Sequence, residues 1–163
     1  MNIVLVEPEI PQNTGNVART CAALGATLHL VHPLGFLLDD RSLRRAGLDY
    51  WHLLQVRHHC SYVDFLPGAD PHQVVLFTSR SRVAYTQIEY SDDSYLVFGN
   101  ESHGLPQEIL NSHTGPVVRI PTVSEARCLN LSNAVAVAAY EAARQRDFAG
   151  LQMSRDTRPR PRD

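Results

Sequence analysis

A single-domain α/β protein, its sheet mostly parallel and flanked by helices, is the fold class this sequence predicts. Three observations carry the prediction. About six short apolar runs alternate with segments of helical pattern, the arrangement that builds parallel sheets. The 163 residues make one domain with room for a sizeable core. Three loops that follow strand-like runs, at 13–19, 99–104 and 121–132, are dense in polar residues. Ligands in open α/β sheets sit beyond the carboxyl ends of the strands, where such loops lie.

Residues 2–7 read as a buried first strand, rich in β-branched side chains and stopped by Pro8 and Pro11. The stretch PQNTGNVARTCAALGA is a helix that Asn13 or Thr14 can cap and that Gly25 ends after Leu24. Val17, Cys21 and Leu24 share its buried face. Arg19 projects elsewhere near the N-terminal end, either as a solvated cation or toward an anion beside the first loop. Residues 27–32 form a second strand, stopped by Pro33. A short helix over 39–47 has an acidic start and a basic end. Its Arg41, Arg44 and Arg45, with Tyr50 and Trp51 just after, make the most RNA-like patch in the chain, offering phosphate forks and stacking surfaces. Dipole complementarity beside two half-buried aromatics explains the same residues equally well.

His58-His59-Cys60 invites a metal, but adjacent residues do not easily converge on one ion and no further ligands stand at a suitable spacing, so none is expected. A short helix at 62–66 closes at Pro67-Gly68, and 73–78 is a buried strand. The polar stretch 79–93, with Arg80 and Arg82, is expected to be a mobile loop. FGNESHGLP then follows the apolar run Tyr95-Leu96-Val97 and precedes a helix over 107–111. Gly99 and Gly104 allow close backbone approach to a ligand or positive φ, and Pro106 suits the first turn of the helix. Between the glycines stand Glu101, Ser102 and His103.

The last strand, 116–120, ends at Pro121. After TVSEARC comes LNLSNAVAVAAYEAARQ, the strongest helix signal, which Asn130 or Ser132 can cap. Leu131, Val135, Ala138 and Ala139 form its apolar face, and so many alanines suit a close helix contact within or between subunits. Residues 153–163, rich in Pro and Arg, are expected to be a disordered tail, leaving 1–152 as the folded domain.

Net charge is −2, so no global basic field announces a nucleic-acid partner, although a local patch is compatible with that total. The three cysteines, Cys21, Cys60 and Cys128, fit no disulfide or zinc framework and read as reduced thiols. The chain opens directly on a strand-like run and has no apolar stretch long enough for a membrane span, so a soluble cytoplasmic protein is expected.

Taken together, NTGNVART, FGNESHGLP and RIPTVSEARCLNLSNAVAVAAYEA resemble, in order, the three signature motifs of the SPOUT superfamily of RNA methyltransferases. EPEIPQNTGNVARTCAALG and RRAGLDY are similar to the small TrmL-type group, which 2′-O-methylates the wobble cytidine or uridine of certain tRNAs. The resemblance implies a deep trefoil knot in the C-terminal half, S-adenosylmethionine bound within it, tRNA as partner, and a homodimer with the site near the interface. No metal and no membrane are implied. By matching position, the cofactor pocket draws on Phe77, Thr78, Gly99, Glu101, Gly104, Ile120, Cys128, Leu129, Asn130 and Ser132, several through backbone groups.

The resemblance places Arg19, Glu101, Asn13 and Asn130 at the reacting centre, and Arg19, Arg41, Arg44, Arg45 and Tyr50 on the RNA. Relatives are described with the arginine of the first motif as base. A guanidinium with a pKa above ~12 holds its proton too tightly for that to be easy. Stabilising the developing alkoxide or holding a neighbouring phosphate is easier for Arg19, with Glu101 or a relayed water taking the proton. The alternatives are the same chemistry on another RNA, such as ribosomal RNA, or a catalytically silent RNA-binding protein. The absence of G-x-G-x-x-G and P-loop patterns disfavours another nucleotide-binding class.

Overall fold

The computed structural model describes residues 1–37, 54–126 and 128–153. The helix expected over 39–47, with Arg41, Arg44, Arg45, Tyr50 and Trp51, lies outside the described residues, as do 154–163 of the expected tail. Six strands, β1 (Asn2–Val6), β2 (Thr27–Val31), β3 (Val56–His59), β4 (Val74–Phe77), β5 (Tyr95–Phe98) and β6 (Val117–Val118), form one sheet. Its order is β3-β2-β1-β5-β4-β6, and every neighbouring pair is parallel. The helices are α1 (Pro11–Leu24), α2 (Tyr62–Phe65), α3 (Gln107–Ser112) and α4 (Leu131–Gln145).

Apolar side chains of the central strands point to both faces, as a parallel sheet covered on both sides requires. Ile3, Leu5, Leu28, Leu30 and Leu96 pack against Val17, Cys21, Val135, Ala138 and Ala139 of α1 and α4. Val4, Val6, Leu76 and Val97 pack with Phe65 of α2 and Ile109 of α3. Burial of each such aliphatic side chain stabilises the fold by about 1.5–3 kcal/mol. The alanines of α4 let it lie close to α1, a contact within the subunit, one of the two alternatives their smooth face suited. Burial pushes the Cys21 thiol up to about 12, so it behaves as a small apolar group in that core.

Four local expectations need correction. α1 starts at Pro11, ahead of Asn13 and Thr14, and neither residue caps it. Proline suits the first helical position because its φ is preset and its missing N–H needs no partner there; Arg19 consequently falls in the middle of the helix. Gly25, at φ 64, does end α1 and donates its N–H to Cys21 O. β3 was not expected: VRHH carries no apolar alternation, and pairing with β2 at the sheet edge decides its conformation. The expected strand over 116–120 shrinks to Val117–Val118, with an isolated bridge from Arg119 to Ala84.

The fourth correction concerns 79–93, which is tied down rather than mobile. Ser81 Oγ donates to Val117 O (2.7 Å), and Tyr90 Oη donates to Tyr85 O (2.7 Å). Gln145 of α4 accepts from Tyr90 N–H (3.1 Å) and donates to Ile88 O (3.0 Å). Residues 116–119 are bracketed as a result. On one side β4 holds them through Leu76 N–H to Pro116 O and Thr78 N–H to Val118 O, both 2.9 Å. On the other, Arg119 N–H donates to Val83 O and Tyr85 N–H to Arg119 O, both 2.9 Å. The chain passes between a strand and the loop that leaves it, then turns back to lay α4 on β5 and α1. Such a passage is what the knotted topology implied by the resemblance requires.

Candidate functional site

A cleft of about 720 Å³ opens at the carboxyl ends of β4 and β5, within the size range of small-ligand sites. Its apolar wall is built by the register of the sheet. Phe77 and Phe98 are paired residues at the ends of β4 and β5, so their rings stack at 4.5 Å and 18°. Ile120, Leu131 and Ala134 extend that wall.

The polar side is one hydrogen-bonded chain of side chains drawn from all three loops. Ser132 donates to Asn130 Oδ1 through N–H (3.0 Å) and Oγ (2.7 Å). Asn130 Nδ2 donates to Asn13 Oδ1 (3.0 Å), and Asn13 Nδ2 donates to Glu101 Oε1 (2.9 Å). Glu101 closes the series by accepting Glu9 N–H (2.8 Å) and Ile10 N–H (3.2 Å). Each amide donates through nitrogen and accepts through oxygen, so one orientation satisfies the whole series. Asn130 is also the N-cap of α4, which decides between the two cap candidates. Asn13 has left the capping role because its side chain is committed across the cleft.

The loop after β5 folds on itself. A Cβ on Gly99 would come within 2.0–2.2 Å of the Gly104 and Leu105 backbone, so the space its hydrogen leaves is filled by the loop and not by a ligand. Gly104 answers the other expectation, with φ 71 and no neighbour within 4 Å of a Cβ. Asn100 O accepts Gly104 N–H (3.0 Å) and Asn100 Oδ1 accepts His103 N–H (2.7 Å). Ser102 donates to Glu9 Oε2 through Oγ (2.5 Å) and N–H (3.2 Å), a second clasp onto the loop before α1.

Of the residues singled out from sequence, Asn13, Phe77, Thr78, Gly99, Glu101, Gly104, Ile120, Cys128, Leu129 and Asn130 all line the cleft. Ser132 stands behind Asn130 and orients it. Arg19 is exposed on α1 and is not among the lining residues. Sequence reasoning missed Phe98, Asn100 and Arg119. Phe98 could have been found as the strand residue entering FGNESHGLP, but pairing with Phe77 depends on sheet order. Arg119 opens the quoted RIPTVSEARCLNLSNAVAVAAYEA stretch, but its place at the cleft depends on how the chain packs after β6. The histidines of 58–59 join two separate pairs: His59 Nε2 lies 2.9 Å from His29 Nδ1, and His58 Nδ1 lies 3.1 Å from His32 Nε2. Among the described residues no group of three or more His, Cys, Asp or Glu could hold a metal ion.

An open parallel sheet with an apolar plate and a convergent polar chain at its carboxyl edge defines an α/β enzyme domain that accepts a small ligand having one flat apolar portion. The chain belongs to the SpoU rRNA methylase family, whose model matches residues 1–140. It is 46% identical over 151 residues to the tRNA (cytidine(34)-2′-O)-methyltransferase of Escherichia coli K12, covering 92% of this chain and 96% of that one. The Yersinia pestis enzyme of the same name is 45% identical, over 92% of this chain and 96% of its own. A solved structure concerned with 2-OH methylation of C/U34 on tRNA superposes with a TM-score of 0.84 at 48% identity, covering 90% of this chain and 96% of that one. An AdoMet-bound rRNA methyltransferase from Sinorhizobium meliloti superposes at 0.78 with 29% identity, over 88% of this chain and 55% of that one.

Proposed function

We infer that this protein is an S-adenosylmethionine-dependent tRNA methyltransferase that modifies the ribose 2′-oxygen of the wobble nucleotide, cytidine or uridine. The observation that carries the reading is the chain Ser132–Asn130–Asn13–Glu101, which ties the three signature loops into one wall of a ligand cleft. Relatives of 45–46% identity over more than nine-tenths of the chain are named tRNA (cytidine(34)-2′-O)-methyltransferases.

The residues fit the cofactor. Phe77, Phe98, Ile120 and Leu131 offer a surface for adenine, while Gly104, Cys128, Leu129 and Asn130 border the same cleft. S-adenosylmethionine supplies an electrophilic methyl group on a sulfonium that is already a good leaving group. The protein must hold the ribose 2′-oxygen in line and pass on its proton. Glu101 acts as a positioning residue, because three donors already occupy its carboxylate. Arg19 meets the RNA, steadying the developing alkoxide or the adjacent phosphate. The proton then leaves through an ordered water. Arg41, Arg44, Arg45 and Tyr50 are proposed as a further RNA contact on the strength of their sequence pattern alone.

The working form is proposed to be a cytoplasmic homodimer, with Val137 and Tyr140 on the exposed side of α4 meeting a second copy. No described helix is long and apolar enough to cross a membrane. Residues 1–152 are proposed as the catalytic domain.

Mass-spectrometric mapping of ribose methylation in RNA from cells with and without the gene tests the reading. Loss of a mark at the wobble ribose of one or a few tRNAs is expected. Loss confined to ribosomal RNA would favour the second reading, which the family's description supports. Unchanged methylation in both RNAs would sink the enzymatic assignment.

A further inference from the structure

Among the described residues, four buried side-chain atoms lack a hydrogen-bond partner: Thr14 Oγ1, Tyr62 Oη, His113 Nε2 and Arg119 Nε. Only Arg119 also lines the cleft. A buried guanidinium nitrogen without an acceptor is expensive, because its hydration is lost and nothing replaces it. The backbone of this partly buried residue is fixed in place. Its N–H is held by Val83 O and its carbonyl by Tyr85 N–H, both at 2.9 Å.

The charges around it define what is missing. Arg80, the other arginine of the cleft, donates to Gln107 Oε1 (2.5 Å). Glu101 is the one carboxylate among the lining residues, and its oxygens are taken by Asn13, Glu9 and Ile10. The cleft therefore holds a positive group in need of an anion of modest size. S-adenosylmethionine carries two cationic groups, its sulfonium and its ammonium, and one anion, its α-carboxylate. A guanidinium repels the first two and pairs with the third in a fork of hydrogen bonds.

We propose that Arg119 binds the α-carboxylate of S-adenosylmethionine and so fixes which end of the cofactor enters the cleft first. The proposal rests on the cofactor reading above. An RNA phosphate is the competing anion. It fits less well, since the unpaired atom is shut away from solvent and a phosphodiester chain stays at the rim.

The test is calorimetric binding of S-adenosylmethionine and of decarboxylated S-adenosylmethionine to the wild-type protein, Arg119→Lys and Arg119→Gln, with no RNA present. The wild type should prefer the carboxylated form by about tenfold or more. Arg119→Gln should lose that preference by weakening S-adenosylmethionine alone, and Arg119→Lys should keep part of it. Equal weakening of both ligands would make Arg119 structural and overturn the proposal, as would an undiminished preference in Arg119→Gln. Normal cofactor binding with a reduced salt slope for tRNA would assign the residue to phosphate instead. A wild type that binds neither ligand would overturn the cofactor reading itself, whereas a wild type that binds both equally would overturn only the role of Arg119.

Discussion

Gly99 and Gly104 share one loop and need glycine for different physical reasons. At Gly104 the demand is conformational: φ 71 suits glycine, while a Cβ would meet nothing within 4 Å. Gly104→Ala should cost about 1–2 kcal/mol. At Gly99 the demand is steric, and a methyl group would collide with backbone at 2.0–2.2 Å. Gly99→Ala should therefore destabilise by more than ~3 kcal/mol and abolish cofactor binding. Urea midpoints and calorimetry on the two variants check the contrast, and equal effects would mean that the loop relaxes more easily than its packing suggests. Arg19→Ala isolates the chemistry at the same scale. Methyl transfer should fall at least ~100-fold while S-adenosylmethionine binds normally; a collapse of cofactor affinity would place Arg19 at the wrong partner. Glu101 was legible in sequence as a functional position. Its use as a bracket for Glu9 and Ile10 was not, because backbone donors leave no trace in residue identity.

Between elements, two contacts invite measurement. Gln145 joins α4 to the loop before β5 by satisfying Tyr90 N–H and Ile88 O together. Gln145→Ala strands both groups and should lower stability by about 1–3 kcal/mol, read from urea unfolding. Gln145→Glu should not rescue it, since a carboxylate cannot donate to Ile88 O and would face Glu141, itself paired with Arg144. The second contact is the His29–His59 pair across β2 and β3. Burial, then the nearby His59 and Arg57, hold His29 down at about 4 against an ordinary 6.5. His58 and His59 are lowered as well, burial being the main cause. These groups are neutral in the folded state and take up protons on unfolding below their ordinary value. Their contribution to stability is complete above about pH 6.5 and is lost as pH falls toward 4. The slope from His29 alone approaches 1.4 kcal/mol per pH unit, about one proton's worth. Urea midpoints from pH 8 to about 4 should show that decline, and His29→Gln should flatten it. The edge strand β3 was invisible in sequence for the reason that makes it pH-sensitive, namely that histidines replace aliphatic residues there.

For the molecule as a whole, the sequence predicted the class, most of the strands and about half of the residues that line the cleft. Period and punctuation are local properties, and Pro8, Gly25, Pro33 and Pro121 mark them clearly. Strand order is not local. Nothing in the run Tyr95-Leu96-Val97 says that it lies between β1 and β4, and the stacked Phe77–Phe98 wall depends on that placement. Assembly is the next question at this scale. Tyr140→Glu puts a charge on the proposed subunit contact of α4, and sedimentation equilibrium should show a monomer with a folded spectrum; an unchanged dimer would move the contact elsewhere. The sheet order has one more outcome. Because β5 lies between β1 and β4, and β4 between β5 and β6, the two segments on either side of the 79–93 loop are interleaved like the fingers of clasped hands. A single protease cut in that loop would yield two peptides, neither with a complete sheet of its own. They should still elute as one particle, and come apart only in denaturant.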